Sequence, residues 1–235
     1  MSALTKDEQV GAWLQAAPSE ERLGDNAARR LVLDEERLPF ANGSLDLLVS
    51  NLALHWSNDL VGALVQIRLA LRPDGLFIGS MFGGATIAEL RQSLLIAESE
   101  LGGVGARVSP FADTFDGAAL LQRAGFTLPV ADSDKITVRY EHPLRLMADL
   151  RAMGETNILL DRPRTPISRA LIARIAEVYA ERFGLSDGRI PATFEIITLT
   201  GWAAHESQQQ PLKPGSAKMR LADALRVTEH KLGRE

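Results

Sequence analysis

The sequence contains no cysteine, and this absence excludes disulfide bonds, thiolate metal sites and cysteine nucleophiles. Histidines are few and scattered, so no zinc-binding spacing occurs; they are His55, His142, His205 and His230. There is also no excess of positive charge, because 26 Lys and Arg face 30 Asp and Glu for a net charge of -4. No global field therefore attracts phosphate groups. We expect neither a metal centre nor a nucleic-acid partner.

Long apolar runs are missing as well. No window approaches the roughly 20 apolar residues that cross a bilayer, and the first residues lack the apolar core of a signal peptide. We therefore expect no transmembrane segment and a cytoplasmic location, or one on the matrix side of the mitochondrion in a eukaryote. The motifs GxSxG and GxxxxGK[ST] do not occur either, which argues against an α/β-hydrolase and a P-loop NTPase.

What is present is an ordinary globular composition. The 235 residues are 46% hydrophobic and 24% charged, and this length suffices to bury a substantial core. Short apolar runs alternate with segments of helical periodicity: strands are predicted at 30–33, 45–49 and 76–82, and helices at 59–71 and 86–101. This alternation is typical of βαβ units and predicts the α/β class.

The regular alternation of predicted strands and helices ends after residue 103. We predict a helix over 115–124, a strand over 136–140, helices over 143–153 and 167–183, and a strand over 192–200. The domain organisation expected is a weakly patterned N-terminal segment over 1–29, an α/β domain over 30–203 with a helical insertion at about 143–185, and a polar tail over 204–235. A short helix is expected in that tail at about 221–232.

Polar residues follow two of the predicted strands, at the edge where α/β sheets bind ligands. Asp34 and Glu35 follow the first strand, either as hydrogen-bond acceptors for a nucleotide or as a solvated acidic turn. Asn51, His55 and Trp56 follow the second. They either bind a polar substrate, or Trp56 packs under the next helix while His55 bonds to the backbone.

Two further loops carry candidate features. Gly83 and Gly84 follow a strand and form either a loop that a ligand approaches closely or a plain turn. At the end of the first inserted helix, Gly154 is placed to cap the helix, while Glu155 and Asn157 are placed to reach into a cleft.

Taken in order, these segments resemble a known family. Three consecutive segments resemble the later half of a class I S-adenosylmethionine-dependent methyltransferase domain: RRLVLDEERLPF, SLDLLVSNLALHW and NDLVGALVQIRLALRPDGLFIGSMFGG. It looks closest to the group that holds the malonyl-carrier-protein methyltransferase of biotin synthesis and the methyltransferase-like assembly factor of mitochondrial complex I. The segments VSPF, LRAMGETN, PATFEIITLTGW, HESQ and PLKPGSAK resemble the assembly factor more closely. The resemblance covers about residues 30–220.

The resemblance implies a Rossmann-like sheet, the cofactor S-adenosylmethionine and a respiratory complex I subunit as partner. It implies a cofactor-contacting role for Asp34, Glu35, Ser50 and Asn51, and a substrate-contacting role for His55, Trp56, Glu155 and Asn157. No catalytic residue is assigned. The assembly factor is associated with arginine hydroxylation, so the resemblance leaves three functions open: methyl transfer, arginine hydroxylation and non-catalytic assembly or interaction.

One family feature is missing from the sequence. The family's first strand ends in a glycine-rich loop that lets the backbone approach the cofactor, and its second strand ends in an acid that binds the ribose. Before Arg30 the only glycines are Gly11 and Gly24. We therefore expect a sheet truncated at its N-terminus, through a start placed too late, a real truncation, or degeneration to a scaffold.

Overall fold

A computed structural model describes residues 14–17, 30–34, 36–101, 103–105, 107–108, 114–157, 159 and 161–209. The chain forms two compact units, Met1–Ala204 and His205–Glu235. Of the second unit only residues 205–209 are described, so the predicted helix at 221–232 lies outside the described residues, as does Glu35. Within the described residues no helix is long and apolar enough to cross a membrane.

The central feature of the first unit is a four-stranded mixed sheet. Its strands are β3 (Leu45–Asn51), β4 (Leu71–Phe82), β5 (Thr127–Tyr140) and β6 (Ile190–Trp202). Their order is β3-β4-β6-β5, with β3 parallel to β4 and both β6 pairings antiparallel. A separate parallel pair joins β1 (Gln15–Ala17) to β2 (Arg30–Val32).

In the part of the chain that the structure describes, five helices and one 3-10 turn accompany the sheet. They are the turn Leu54–Trp56 and helices α1 (Leu60–Ala70), α2 (Ala88–Leu101), α3 (Thr114–Arg123), α4 (Pro143–Ala152) and α5 (Arg169–Phe183). The α/β class is confirmed, and α4 and α5 form the predicted helical insertion before the last strand. Helix starts follow local chemistry: the Asp59 carboxylate accepts from the Gly62 amide at 2.8 Å, and the Ser168 hydroxyl accepts from the Leu171 amide at 3.1 Å.

The strand prediction for 136–140 was too short. In the structure β5 begins at Thr127 and pairs with β6 in an almost continuous antiparallel register. Asp132 and Asp134 are exposed on this edge strand, so the strand carries polar residues where a buried strand would be apolar. Backbone pairing therefore extends the strand well beyond its hydrophobic pattern.

Buried side chains form two clusters. The first lies between α1, α3 and one face of the sheet, around Phe77, Ile197 and Leu199. The second lies among α2, α4, α5 and the ends of β4 and β6, around Phe82 and Tyr179. The second cluster forms the floor of the candidate site described below.

The opposite face of the sheet is partly uncovered. Val49, Ile78, Thr200 and Val130 form one row across all four strands, because each is the register partner of the next. Val49 is 47% exposed and Val130 is 55% exposed. Parallel α/β sheets usually bury both faces. Among the described residues, β3 also pairs with no strand on its outer side. We call the row formed by Val49, Ile78, Thr200 and Val130 the open face.

Candidate functional site

The four predicted substrate residues line a single cavity. His55 and Trp56 reach it from the 3-10 turn after β3, and Glu155 and Asn157 reach it from the loop after α4. The cavity has a volume of about 250 Å³. The fold thus brings together two segments separated by 100 residues in the chain. Their assignment to substrate binding stays a prediction.

The central contact is between His55 and Glu155. The Nε2 atom of His55 lies 3.3 Å from Oε1 and 3.2 Å from Oε2 of Glu155. The side chains are 4% and 16% exposed, so the interaction is shielded from bulk water. The His55 ring packs at 5.1 Å from the Trp56 ring and at 4.9 Å from the Phe82 ring. The His55 ring therefore packs against two aromatic rings while its Nε2 atom contacts the Glu155 carboxylate.

The backbone around Gly154 places Glu155 at the cavity. Gly154 has φ of +83°, the left-handed region that favours glycine at a helix end. Its amide donates to the carbonyl of Arg151 at 3.0 Å, and the Glu155 amide donates to the carbonyl of Leu150 at 2.8 Å. This confirms the predicted capping by Gly154 and explains why the chain turns back toward the sheet here.

The remaining walls are mostly apolar. They comprise Phe82, Ile87, Leu90, Leu94, Val108, Met147, Leu150, Ile167 and Phe194, with Thr86, Arg107, Arg151 and Thr156 as further polar members. Arg107 forms an ion pair with Glu98, whose side chain is only 4% exposed. Glu98 also accepts from the Gly105 amide at 3.0 Å. Arg107 is thus neutralised by its own partner, whereas Arg151 is exposed.

Glu98 and Arg107 were not predicted from the sequence. Glu98 follows Leu94 by four residues on the buried side of α2, so a charged residue at an apolar position was the available signal. Arg107 has no comparable signal, because it follows the glycine-rich stretch 102–105 without periodicity.

A second missed residue, Glu195 of β6, organises the loop between β4 and α2. Its Oε2 accepts from the Ala85 amide at 2.8 Å, and its Oε1 accepts from the Ser133 hydroxyl at 2.8 Å. A Cβ atom at Gly83 would lie 2.6 Å from Glu195 Oε2. Gly83 therefore makes room for this carboxylate, which explains the glycine by packing within the protein.

The predicted cofactor residues lie elsewhere, and none of the described ones lines the cavity. Asp34 is exposed, and its Oδ1 accepts from the Glu36 amide at 2.9 Å. Asn51 is exposed at the end of β3, where its Oδ1 accepts from the Ser80 hydroxyl at 3.0 Å. Ser50, which precedes it on β3, is half-buried.

The acid that is firmly engaged in this region is Glu36. Its carboxylate accepts from the amides of Asn58 and Asp59 and lies 3.3 Å from the Ser57 hydroxyl. The Asn58 amide, followed by that of Asp59, lowers the pKa of the Glu36 carboxyl. Glu36 thus ties the turn after β2 to the start of α1.

The described residues do not form a complete site for S-adenosylmethionine. That cofactor has an adenine, a ribose diol and an amino-acid end, each of which needs hydrogen-bond partners. Asp34 and Asn51 are exposed and each makes a local contact, to Glu36 and Ser80, and in the described part of the chain no strand pairs with the outer backbone edge of β3. Among the same residues, no group of three or more His, Asp or Glu is arranged to hold a metal ion.

Comparisons with known proteins identify relatives. A family model described as a methyltransferase domain matches residues 9–79. The chain is 42% identical over 207 residues to "Arginine-hydroxylase NDUFAF5, mitochondrial" of Danio rerio, covering 88% of this chain and 64% of the relative. It is 42% identical over 226 residues to the human protein of that name, covering 94% and 65%.

A second group of relatives bears a different name. The chain is 35% identical over 191 residues to "Malonyl-[acyl-carrier protein] O-methyltransferase" of Halorhodospira halophila, covering 81% of this chain and 63% of the relative. The chain thus spans less than two thirds of the length of each of these three relatives.

Proposed function

Because this chain belongs to the class I S-adenosylmethionine-dependent methyltransferase family, we propose that it acts on an arginine side chain of a respiratory complex I subunit during assembly of that complex. The reaction proposed is hydroxylation, the activity printed in the names of the relatives that are 42% identical. The compartment is the one in which that complex is assembled, the cytoplasm or, in a eukaryote, the mitochondrial matrix side.

The observation that carries this proposal is the position of Glu155. A guanidinium group is planar, always charged and weakly hydrated, and it pairs well with a shielded carboxylate. Glu155 supplies a carboxylate that is 16% exposed, and an ionised carboxylate has about four lone-pair sites, so one contact to His55 leaves acceptors available. Trp56 and Phe82 line the same cavity as Glu155, and a guanidinium also binds favourably to aromatic faces.

The cavity also suits the rest of an arginine side chain. Leu90, Met147 and Ile167 provide apolar walls for its methylene stem. The volume of about 250 Å³ lies below the roughly 300–1,000 Å³ that is usual for drug-sized ligands. One inserted side chain therefore fits better than a ligand that contains a whole nucleoside.

In the proposed mechanism, the residues of this chain bind and orient the substrate. Glu155 binds the guanidinium, His55 fixes the orientation of Glu155, and the apolar walls exclude water from the stem that is to be oxidised. Hydroxylation of a C–H bond by dioxygen inserts one oxygen atom and releases the other as water; the two electrons would come from an external donor of the reduced nicotinamide or flavin class, and the two protons from that donor and the solvent.

The test is mass spectrometry of complex I subunits from cells that contain this chain, lack it or carry Glu155→Gln. We expect one arginine to gain the mass of an oxygen atom only with the unmodified chain. Glu181→Gln, the same substitution at an exposed site on α5, serves as the control and should preserve the gain. Subunits without an oxidised arginine in any of these cells would refute the proposal.

A second candidate is methyl transfer to a carboxylate. Arg151 and Arg107 line the same cavity, and one group of relatives is named for an O-methyltransferase. Arg107 is already paired with Glu98, however, so only Arg151 is available to a carboxylate. A gain of one methylene on a carboxyl group in the same spectra would favour this alternative.

A further inference from the structure

The cavity is built from a part of the fold that does not include the predicted cofactor residues. Its walls come from the 3-10 turn, the end of β4, helices α2 and α4, the loops beside them, and β6. None of its lining residues belongs to β1, β2 or β3. Removing or altering those three strands therefore takes no side chain from the cavity wall.

The cavity also has its own core. Phe82, Ile87, Leu90, Leu94 and Phe194 line the cavity and belong to the second cluster of buried residues. The cluster is completed by α5, where Ile175 and Tyr179 are 0% exposed. These side chains pack against one another near the end of β4 and the start of β6. The cavity walls are thus held by contacts within this cluster.

The polar centre of the cavity contains two pairs formed within this chain. The His55–Glu155 contact and the Glu98–Arg107 pair each join two residues of this chain. Both pairs are largely buried, so their side chains are already positioned before a ligand enters. A guanidinium thus meets a formed site, which reduces the cost of ordering on binding.

We infer that this chain binds an arginine-bearing peptide through the His55–Glu155 cavity independently of S-adenosylmethionine. The inference rests on the proposed function and extends it: the arginine site is occupied and used whether or not S-adenosylmethionine is bound. Hydroxylation by dioxygen and a reductant is compatible with this independence, because it consumes no methyl donor.

The test is isothermal titration calorimetry of the whole 235-residue chain. The probe is an acetylated and amidated Gly-Arg-Gly peptide, titrated with and without excess S-adenosylhomocysteine. The matched control is the same peptide with citrulline, which is nearly isosteric with arginine and uncharged. We expect the arginine peptide to bind at least about tenfold more tightly than the citrulline peptide, because a hydrogen bond to a charged group contributes about 1.5–3 kcal/mol.

S-adenosylhomocysteine itself should give no binding heat, and the affinity for the arginine peptide should change less than about twofold in its presence. Binding of S-adenosylhomocysteine with a clear gain in peptide affinity would overturn the inference and leave the proposed function standing. If the arginine peptide binds neither with nor without S-adenosylhomocysteine, the proposed function is overturned as well.

Two variants test whether the peptide binds in the cavity or elsewhere on the sheet. Glu155→Gln should weaken the arginine peptide at least about tenfold and leave the citrulline peptide unchanged. Val49→Thr, a substitution of similar shape on the open face, should leave both affinities unchanged. If Glu155→Gln fails to fold, His55→Gln in the same titration replaces it, since loss of the histidine releases the carboxylate from its fixed position. Equal binding of the arginine peptide by the unmodified chain and the folded cavity variant would contradict the assignment.

Discussion

Thr86 and Glu195 exchange hydrogen bonds in both directions. The Thr86 hydroxyl donates to the backbone carbonyl of Glu195 at 3.0 Å and accepts from the Glu195 amide at 3.1 Å. Thr86 is 2% exposed, and the next residue, Ile87, lines the cavity. This pair therefore fastens the loop before α2 to the central strand β6 and sets one wall of the site.

Replacing Thr86 by valine should destabilise the fold. The valine keeps the shape but leaves a buried amide and a buried carbonyl of β6 without their partner, which costs about 1–3 kcal/mol. Urea unfolding measures the loss. Thr198→Val, a half-buried site on the same strand, is the control and should stay within about 0.5 kcal/mol. Equal unfolding free energies for the two variants would show that the exchange has no structural weight.

Replacing Gly83 by alanine should also be costly, for a steric reason. The new methyl group would meet the Glu195 carboxylate at 2.6 Å, and the buried acid has little room to move. We expect a loss of about 1–3 kcal/mol in unfolding free energy. At Gly103 no atom lies within 4 Å of an added Cβ, so Gly103→Ala should be neutral within about 0.5 kcal/mol. A neutral Gly83→Ala would mean that the loop relaxes freely.

The Glu98–Arg107 pair should behave as a buried ion pair. Glu98→Leu leaves a largely buried guanidinium without its carboxylate, and we expect a loss of about 3 kcal/mol in unfolding free energy. Combining it with Arg107→Met removes both charges and should recover most of that loss. A double-mutant cycle by chemical denaturation measures the coupling. Additive losses in the double variant would contradict the pairing.

Both tyrosines of the chain should resist ionisation. Burial, aided by the charge of Glu89, raises the pKa of Tyr179, and burial together with Asp149 raises the pKa of Tyr140. Because the folded pKa values exceed the unfolded value of about 10, the contribution of the tyrosines to stability should be constant below that pH and fall as pH rises above it.

Near-ultraviolet absorbance of tyrosinate measures this titration. The folded chain should show ionisation only above about pH 10, and the chain in denaturant should ionise near pH 10. In the Tyr140→Phe variant Tyr179 is the single tyrosine that titrates, and its ionisation should occur at higher pH in the folded chain than in the denatured chain. Overlapping curves for folded and denatured chain would refute the burial argument.

The open face should bind an apolar dye. Val49 and Val130 are both about half exposed, and contiguous exposed apolar surface attracts such dyes. Exchanging both for threonine should lower the fluorescence of bound anilinonaphthalene sulfonate while changing the unfolding free energy by only about 0.5 kcal/mol. Val178→Thr, the same exchange at a residue that is 1% exposed, should cost about 1–3 kcal/mol. Unchanged fluorescence in the double variant would place the dye elsewhere.

Much of the fold was predictable because its signals are local. The apolar run Leu45–Val49 and the helix over 59–71 reflect patterns within a few residues, and both elements occur within two residues of those bounds. The first half of β5 was missed because its pairing with β6 depends on a partner more than 60 residues away. Edge strands with polar residues lack the hydrophobic contrast on which such predictions rest.

The site divides in the same way. His55, Trp56, Glu155 and Asn157 were predicted as substrate residues, and the structure brings all four to one cavity. Glu195 was missed because a single acid inside a mostly apolar strand gives no pattern, and its role depends on the close approach of Gly83. Such a role follows from three-dimensional packing, and nothing in the neighbouring sequence indicates it.

The wide separation of His55 and Glu155 along the chain also has a kinetic consequence. Joining residues 100 positions apart closes a long loop. The chain loses conformational entropy in that closure before the contact contributes any stabilisation. The sheet strands β3 and β4 are connected by much shorter segments. We therefore expect the cavity to form after the β3–β4 pair and to open before that pair separates. A ligand that holds both ends would slow that opening, so its binding should be visible as amide-exchange protection around residues 143–157.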